Sequence, residues 1–246
     1  MIQKIDRNFG EDYLRCMDNF YEYGVHLLFN EWWESAPADA VEKYVAAIEN
    51  HPEQGPLAEA RWLAEPFSLD QVKGHARGTL GGEWLAFMTQ NNLVERLALG
   101  YRELHEELEA AGKLDNMPDV MKYKVLRGYQ THDIHHVLTG YSATPMGELA
   151  LQAFQLAQMD YPYSAMTLAT VMGHATLVDP LLIRPAMDAI TDGWAYGRRA
   201  RSIQFVAFEE MLDRPLADVQ AEYGLGRDPV PNFQMNAIPE LLKEAA

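Results

Sequence analysis

A single cysteine, Cys16, serves the whole chain of 246 residues. One sulfur can form neither an intrachain disulfide nor a thiolate metal site, and it suits a reducing compartment. Basic residues are also scarce. Lys and Arg total 20 against 36 Asp and Glu, a formal net charge of −16. That balance excludes nucleic acid as the main partner, because a phosphate backbone needs clustered cations. It leaves a membrane surface open, where a local apolar or basic patch acts alone. Long apolar runs are absent. The longest, 165–178, is interrupted by Gly173 and His174 and falls short of the roughly 20 residues that span a bilayer. The first fifteen residues lack an apolar stretch and carry early acids, so they read as neither a secretory signal nor a transit peptide. Alternating strands, hairpin turns and fixed-period repeats are missing as well.

What remains is helical rhythm. Val25, Leu28, Phe29 and Trp32 fall at helical offsets, as do Val41, Tyr44, Val45 and Ile48 behind Pro37. Trp84, Leu85 and Met88 continue the pattern, and Leu93 to Leu108 forms another amphipathic run ended by Gly112. The spacing predicts an all-α fold, one multi-helix domain over 1–246. A connector with a short helical piece is expected around Leu57 to Leu63. From Gly224 onward, Pro229, Pro231 and Pro239 predict an extended strap ending in a short helix at Glu240 to Glu244. RGTLGGEW, with Gly78, Gly81 and Gly82, reads as a turn before a helix; as a phosphate-cradling loop its pattern is weak. Two successive segments, around Leu149 to Met159 and Met166 to Met172, are apolar over much of their surface. A core explains them most simply. With 12 methionines in the chain, an adaptable lipid-holding cavity is the other reading.

The chemistry concentrates in THDIHHVLTG. On a helix of about 100° per residue, His132 at zero puts His136 near 40° and Asp133 near 100°. The three share one sector, and a His pair at i, i+4 can reach one ion. His135 falls near 300°, the poorest fit as a ligand. Gly140 ends this helix; Thr144 and Pro145 start the next, with Glu148 in its opening turn. The loop 141–143 must turn inward, or the helices must cross steeply, for Glu148 to join the set. Two imidazoles and two carboxylates without sulfur suit zinc, with iron, manganese, cobalt or magnesium as alternatives. A His-rich surface turn, or histidines hydrogen-bonded to Asp133 in a polar core, are the bland readings. An HD-type phosphohydrolase needs a separate upstream His and a distant Asp, and the spacing here departs from that.

At these residues the sequence resembles the family of coenzyme Q (ubiquinone) biosynthesis protein 4, with its His-Asp-x-x-His motif and a Glu after eleven further residues. His132, Asp133, His136 and Glu148 match. Arg127 and Tyr129 before the motif, the Gly78-Thr79-Leu80-Gly81 segment followed by Glu83-Trp84-Leu85, and Gly197-Arg198-Arg199-Ala200 keep the family's order. The resemblance runs from about residue 25 to about residue 226, is loose up to Trp33, and departs at His135, Gly173 and His174. It implies an all-helical, membrane-peripheral protein that binds a metal, usually taken as zinc, through His132, Asp133, His136 and Glu148. It also implies a polyprenyl lipid or quinone precursor as ligand and other ubiquinone-biosynthesis proteins as partners. The absence of the eukaryotic leader suits a bacterial cytoplasmic protein at the inner face of the inner membrane.

Two functions from different classes follow as expectations. One is an enzyme in which a divalent ion assists oxidative decarboxylation of a prenylated hydroxybenzoate. Its acid or base is not identified, with His135 and Tyr129 the nearest candidates, and no flavin or nicotinamide fingerprint is visible. The other is a lipid-presenting scaffold with a structural metal tying two helices. The basic run Gly197 to Arg201 reads as a solvated face or as a contact for anionic headgroups.

Overall fold

The computed structural model describes residues 5–19, 22–98 and 101–226. Among them twelve α-helices follow in chain order: α1 (Arg7–Asp18), α2 (Val25–Ser35), α3 (Ala38–Glu49), α4 (Gln54–Ala60), α5 (Leu69–Lys73), α6 (Leu80–Gln90), α7 (Tyr101–Ala110), α8 (Asp119–Thr139), α9 (Pro145–Met159), α10 (Pro162–Val178), α11 (Ile183–Gly197) and α12 (Leu216–Glu222). Short 3-10 turns occupy Val94–Ala98, Pro180–Leu182 and Phe208–Met211. No strand forms among the described residues; one isolated bridge joins Thr79 and Pro215. The all-α fold is the one the sequence predicts. The helix expected at 57–63 instead runs over Gln54–Ala60, stopped by left-handed Arg61 at φ 52°. The short helix expected at 240–244 lies outside the described residues.

The chain's contacts cluster into two compact units. Within the described residues one holds 5–32 and 141–199, the other 33–140 and 200–226.

In the first unit, α9 starts where Thr144 accepts a hydrogen bond from Gly147 N at 3.3 Å, with Pro145 in the first turn. That is the cap the sequence predicts. Its apolar face is core: Leu149, Leu151 and Phe154 are buried. Glycines set how closely α11 approaches. A Cβ at Gly193 would meet the Ala150 carbonyl oxygen at 2.0 Å, and one at Gly197 would meet that of Phe154 at 2.5 Å. Both contacts pair residues 43 apart and advance together, so α9 and α11 run parallel. The Gly of the Gly-Arg-Arg-Ala segment is therefore a packing residue. On α10, Gly173 makes room for the Met17 side chain, and His174 Nδ1 donates to the Met17 carbonyl at 2.8 Å. Phe29 packs edge-on against Tyr161 and Tyr163, each at 5.6 Å.

In the second unit, α8 is packed by α3, α4, α6, α7 and α12. The Gly78–Trp84 segment is a helix start. Thr79 caps α6 by accepting from Gly82 N, while Leu80 N and Gly81 N donate to the carbonyls of Arg214 and Leu212 at 2.9 Å each. Those donors are taken by backbone, which leaves them unavailable to a phosphate. Arg201 of the basic run is likewise engaged: its N donates to the Tyr223 carbonyl, its guanidinium lies 5.3 Å from the Tyr223 ring, and Glu53 stands 3.6 Å away. Arg198 and Arg199 remain exposed.

Gly193→Ala is expected to destabilise the protein by about 2–3 kcal/mol, because backbone on α9 must retreat to admit the methyl. The measurement is the urea midpoint; an unchanged midpoint would contradict the close approach.

Candidate metal centre and a neighbouring cleft

The helix that carries the histidines is buried over most of its surface. Besides Val120, Met121, Leu126, Ile134 and Leu138, it buries Lys124, Arg127, Thr131, Asp133, His135, His136 and Thr139. Such a helix satisfies its polar side chains internally or pays heavily for them. The hydroxyls of Thr131 and Thr139 return to the carbonyls four residues back, at 2.7 Å each. Arg127 is clamped by both oxygens of Glu209 at 2.7 and 3.0 Å, by the Val206 carbonyl at 2.8 Å and by Gln130 at 2.7 Å. Its guanidinium also lies over the Trp62 ring at 5.1 Å. This two-pronged geometry is the strong form of a charged hydrogen bond.

One turn and a half further on, His132 and His136 face each other. Their Nε2 atoms are 3.2 Å apart, with the rings edge to face at 89°. Phe87 of α6 stacks on His136 at 5.3 Å and 17°, which fixes the ring plane. Two nitrogens at about 2.0–2.1 Å from a tetrahedral zinc stand about 3.3 Å apart. The observed separation is the bite of a chelating pair with almost no movement required. His136 is 1% exposed and His132 is half-buried. Gly140 ends α8 at φ +76°, as expected, and Glu148 stands in the first turn of α9, half-buried. Within the second unit, His132 and His136 alone form the candidate chelating pair; Glu148 belongs to the first unit.

The other two residues of the string point elsewhere. Asp133, 7% exposed, lines a cleft in the second unit, with Phe67, Trp84, Met88, Arg96 and Glu209 among its walls. Phe67 and Trp84 pack edge to face at 5.5 Å, giving the cleft an aromatic wall. Its apolar lining comes from 66–67, α6 and the 3-10 turn at Val94–Ala98, not from the Met- and Leu-rich α9 and α10. His135 is buried at 1% exposure against Phe208, ring centroids 6.2 Å apart, and neither ring nitrogen has a hydrogen-bond partner. Burial holds its pKa well below the ordinary value, with Lys124 and the neighbouring histidines adding to the effect. A neutral, packed His135 fits its place on the far side of the helix. Tyr129 is 37% exposed.

Sequence reasoning missed Glu209 and Lys124. Glu209 lies 82 residues beyond Arg127, and nothing local in its own segment marks it. Lys124 is 1% exposed, and burial first, then Arg127, lowers its pKa to about 7. The only hint was a lysine on what became an inward face.

The architecture and the paired imidazoles define an all-helical protein with a candidate nitrogen–oxygen metal centre. The family profile described as coenzyme Q (ubiquinone) biosynthesis protein Coq4 matches residues 117–229. The mitochondrial ubiquinone biosynthesis protein COQ4 of Yarrowia lipolytica is 23% identical over 175 residues, covering 69% of this chain and 59% of that protein. That of Botryotinia fuckeliana is 28% identical over 109 residues, 42% and 36%. The Rattus norvegicus homolog is 23% identical over 161 residues, 65% and 56%. The chain thus spans less than two thirds of the length of these relatives. A crystal structure described as a candidate ubiquinone biosynthesis protein from Nostoc punctiforme has the same fold, with a TM-score of 0.70 at 22% identity over 91% of this chain and all of that one. The profile and the curated relatives belong to the Coq4 family that the chain's motifs resemble; the solved structure shares the fold.

Lys124 gives a pH signature. Its folded pKa of about 7 lies below its unfolded value of about 10.4. The unfolded chain therefore binds the extra proton between these values, and stability rises with pH across that window. Lys124→Met should raise the melting temperature, by more at pH 6 than at pH 9, with a gain on the order of 1–4 kcal/mol at the lower pH. A gain equal at both pH values, or a loss at both, would contradict the burial of the amine.

Proposed function

We propose that this chain holds a divalent ion, zinc first among the candidates, and serves ubiquinone biosynthesis by handling a prenylated quinone precursor. The observation that carries the reading is the 3.2 Å separation of the His132 and His136 Nε2 atoms on one helix face. The motif His-Asp-x-x-His with its later Glu adds Glu148, at the start of α9, as the third proposed ligand. Asp133 lines the cleft, and it joins as a fourth ligand only by turning its carboxylate away from there. Phe87 keeps the His136 ring in plane for a ligand, and the Arg127–Glu209 clamp fixes the rotation of α8 that aims both imidazoles. The aromatic and apolar wall of the cleft receives the ring or the first isoprene of the precursor, each buried methylene contributing roughly 0.8 kcal/mol.

When bound, the ion supplies Lewis acidity toward a carboxylate or ring oxygen. In the enzymatic form of this reading, a prenylated hydroxybenzoate loses its carboxylate as carbon dioxide and gains a hydroxyl from dioxygen, whose second oxygen leaves as water with two protons and two electrons from an external reductant; that form requires a redox-active ion such as iron in place of zinc. In the scaffold form, Asp133 and Glu148 both ligate, the sphere closes, and the protein presents the precursor to other enzymes of the pathway at a membrane surface. The relatives are named as mitochondrial, and no described helix is long and apolar enough to cross a membrane. A peripheral placement is consistent with that.

The test separates neighbouring histidines. In protein purified without added ions, His132→Ala and His136→Ala should each lose at least tenfold of the bound metal, and Glu148→Ala should follow. His135→Leu should keep its metal, because that ring packs on Phe208. Metal is read by plasma mass spectrometry, and turnover by loss of the ring carboxylate from a prenylated hydroxybenzoate under air. Retention of metal in both the His132 and His136 variants would sink the site. Turnover by metal-free Glu148→Ala protein would sink the enzymatic form.

A further inference from the structure

The first unit carries an apolar tip that none of its packing uses. Where α10 turns into α11, Leu177 is 77% exposed, Val178 58% and Leu181 84%, and Thr176 and Pro180 between them are exposed too. The one acid in this stretch, Asp179, is folded back: its carboxylate accepts from Leu181 N at 3.1 Å and caps the 3-10 turn at Pro180–Leu182. That leaves a bare aliphatic knuckle. The first exposed charged side chain beyond it is Arg184.

We propose that this knuckle docks the protein on a lipid surface by inserting Leu177, Val178, Pro180 and Leu181 below the headgroups. Three observations favour lipid over a second protein. The side chains stand on a tight turn joining two helices, a projecting end and not a groove. The tip's one charge, the Asp179 carboxylate, is half-buried and bound by Leu181 N, so the exposed side chains that lead the insertion are uncharged. Its area is also small: four aliphatic side chains offer roughly 250–450 Å², against about 800 Å² per partner in a stable protein interface. Such a patch is too small for a dimer and sufficient for interfacial insertion, which works one side chain at a time.

The tip also lies at a telling end of its unit. Because α9 and α11 run parallel, with Ala150 level with Gly193 and Phe154 level with Gly197, the start of α11 lies beside the start of α9. The knuckle therefore sits at the end of the unit where Glu148 is found. A lipid-borne precursor leaving the bilayer at the knuckle meets that end first. This last step rests on the function proposed above; the docking itself does not.

The experiment is flotation of the full chain with vesicles of phosphatidylcholine alone and of phosphatidylcholine mixed with phosphatidylglycerol. The protein should float with both, since insertion needs no anionic headgroup. Leu177→Glu with Leu181→Glu should cut vesicle binding at least tenfold while melting temperature, bound metal and gel-filtration position stay unchanged. Arg198→Glu with Arg199→Glu, at the other end of α11, should leave binding to phosphatidylcholine intact. Failure of the unaltered protein to float with either vesicle would overturn the proposal and leave the metal centre untouched. So would full flotation of the Leu177/Leu181 variant, or loss of phosphatidylcholine binding in the Arg198/Arg199 variant. A dimer that the Leu177/Leu181 variant breaks, with flotation unchanged, would assign the knuckle to a second copy and equally overturn docking on lipid.

Discussion

The structure of the second unit depends on how one buried helix satisfies its polar groups. Helix α8 cannot turn a charged face to water, because neighbours pack it on most sides. Its one buried guanidinium, Arg127, is held at both terminal nitrogens by Glu209, Gln130 and a carbonyl, with an aromatic face against it, while its Nε has no hydrogen-bond partner. A desolvated ion pair of this quality adds little net stability, yet losing one partner strands a charge. Its consequence is rotational: with Arg127 pinned, residues five and nine positions later have no freedom about the helix axis. His132 and His136 are aimed by that constraint, and Phe87 adds the final ring orientation.

The histidine pair was the most legible part of the chain. Helical geometry alone put the two rings in one sector, and a Thr-Pro start with a Gly stop placed the next helix correctly. Asp133 was less legible because 100° on a helical wheel is a flank. Which flank faces what depends on neighbours contributed by Phe67, Trp84 and Glu209, far away in sequence. For the same reason Glu209 itself escaped notice. The glycines of the Gly-Thr-Leu-Gly-Gly and Gly-Arg-Arg segments stood out in the sequence as marks, but their purpose is conformational and steric: Gly82 and Gly197 allow close backbone approach, Gly81 makes room for the His75 ring, and Gly78 takes a positive φ of 87°. The apolar run 165–178 gave no sign that its end would stay uncovered, since exposure at a helix end is decided by what the rest of the unit leaves bare.

These elements divide the labour between two requirements. A nitrogen–oxygen centre needs rigid donors with little rotamer freedom, and the buried α8 provides them. In the proposed reading a long isoprenoid needs access from a bilayer, and the apolar turn at Leu177 to Leu181 would provide it. The buried, neutral His135 beside the pair serves packing, which explains how three histidines within five positions can divide between chemistry and core.

X-ray absorption at the metal edge, on protein purified without added ions, tests the central claim most directly. The account predicts about one ion per chain with two imidazole nitrogens near 2.0–2.1 Å and carboxylate oxygens completing the sphere. A metal-free protein that also fails to take up zinc at saturating concentration, or an ion with no imidazole in its first shell, would contradict it.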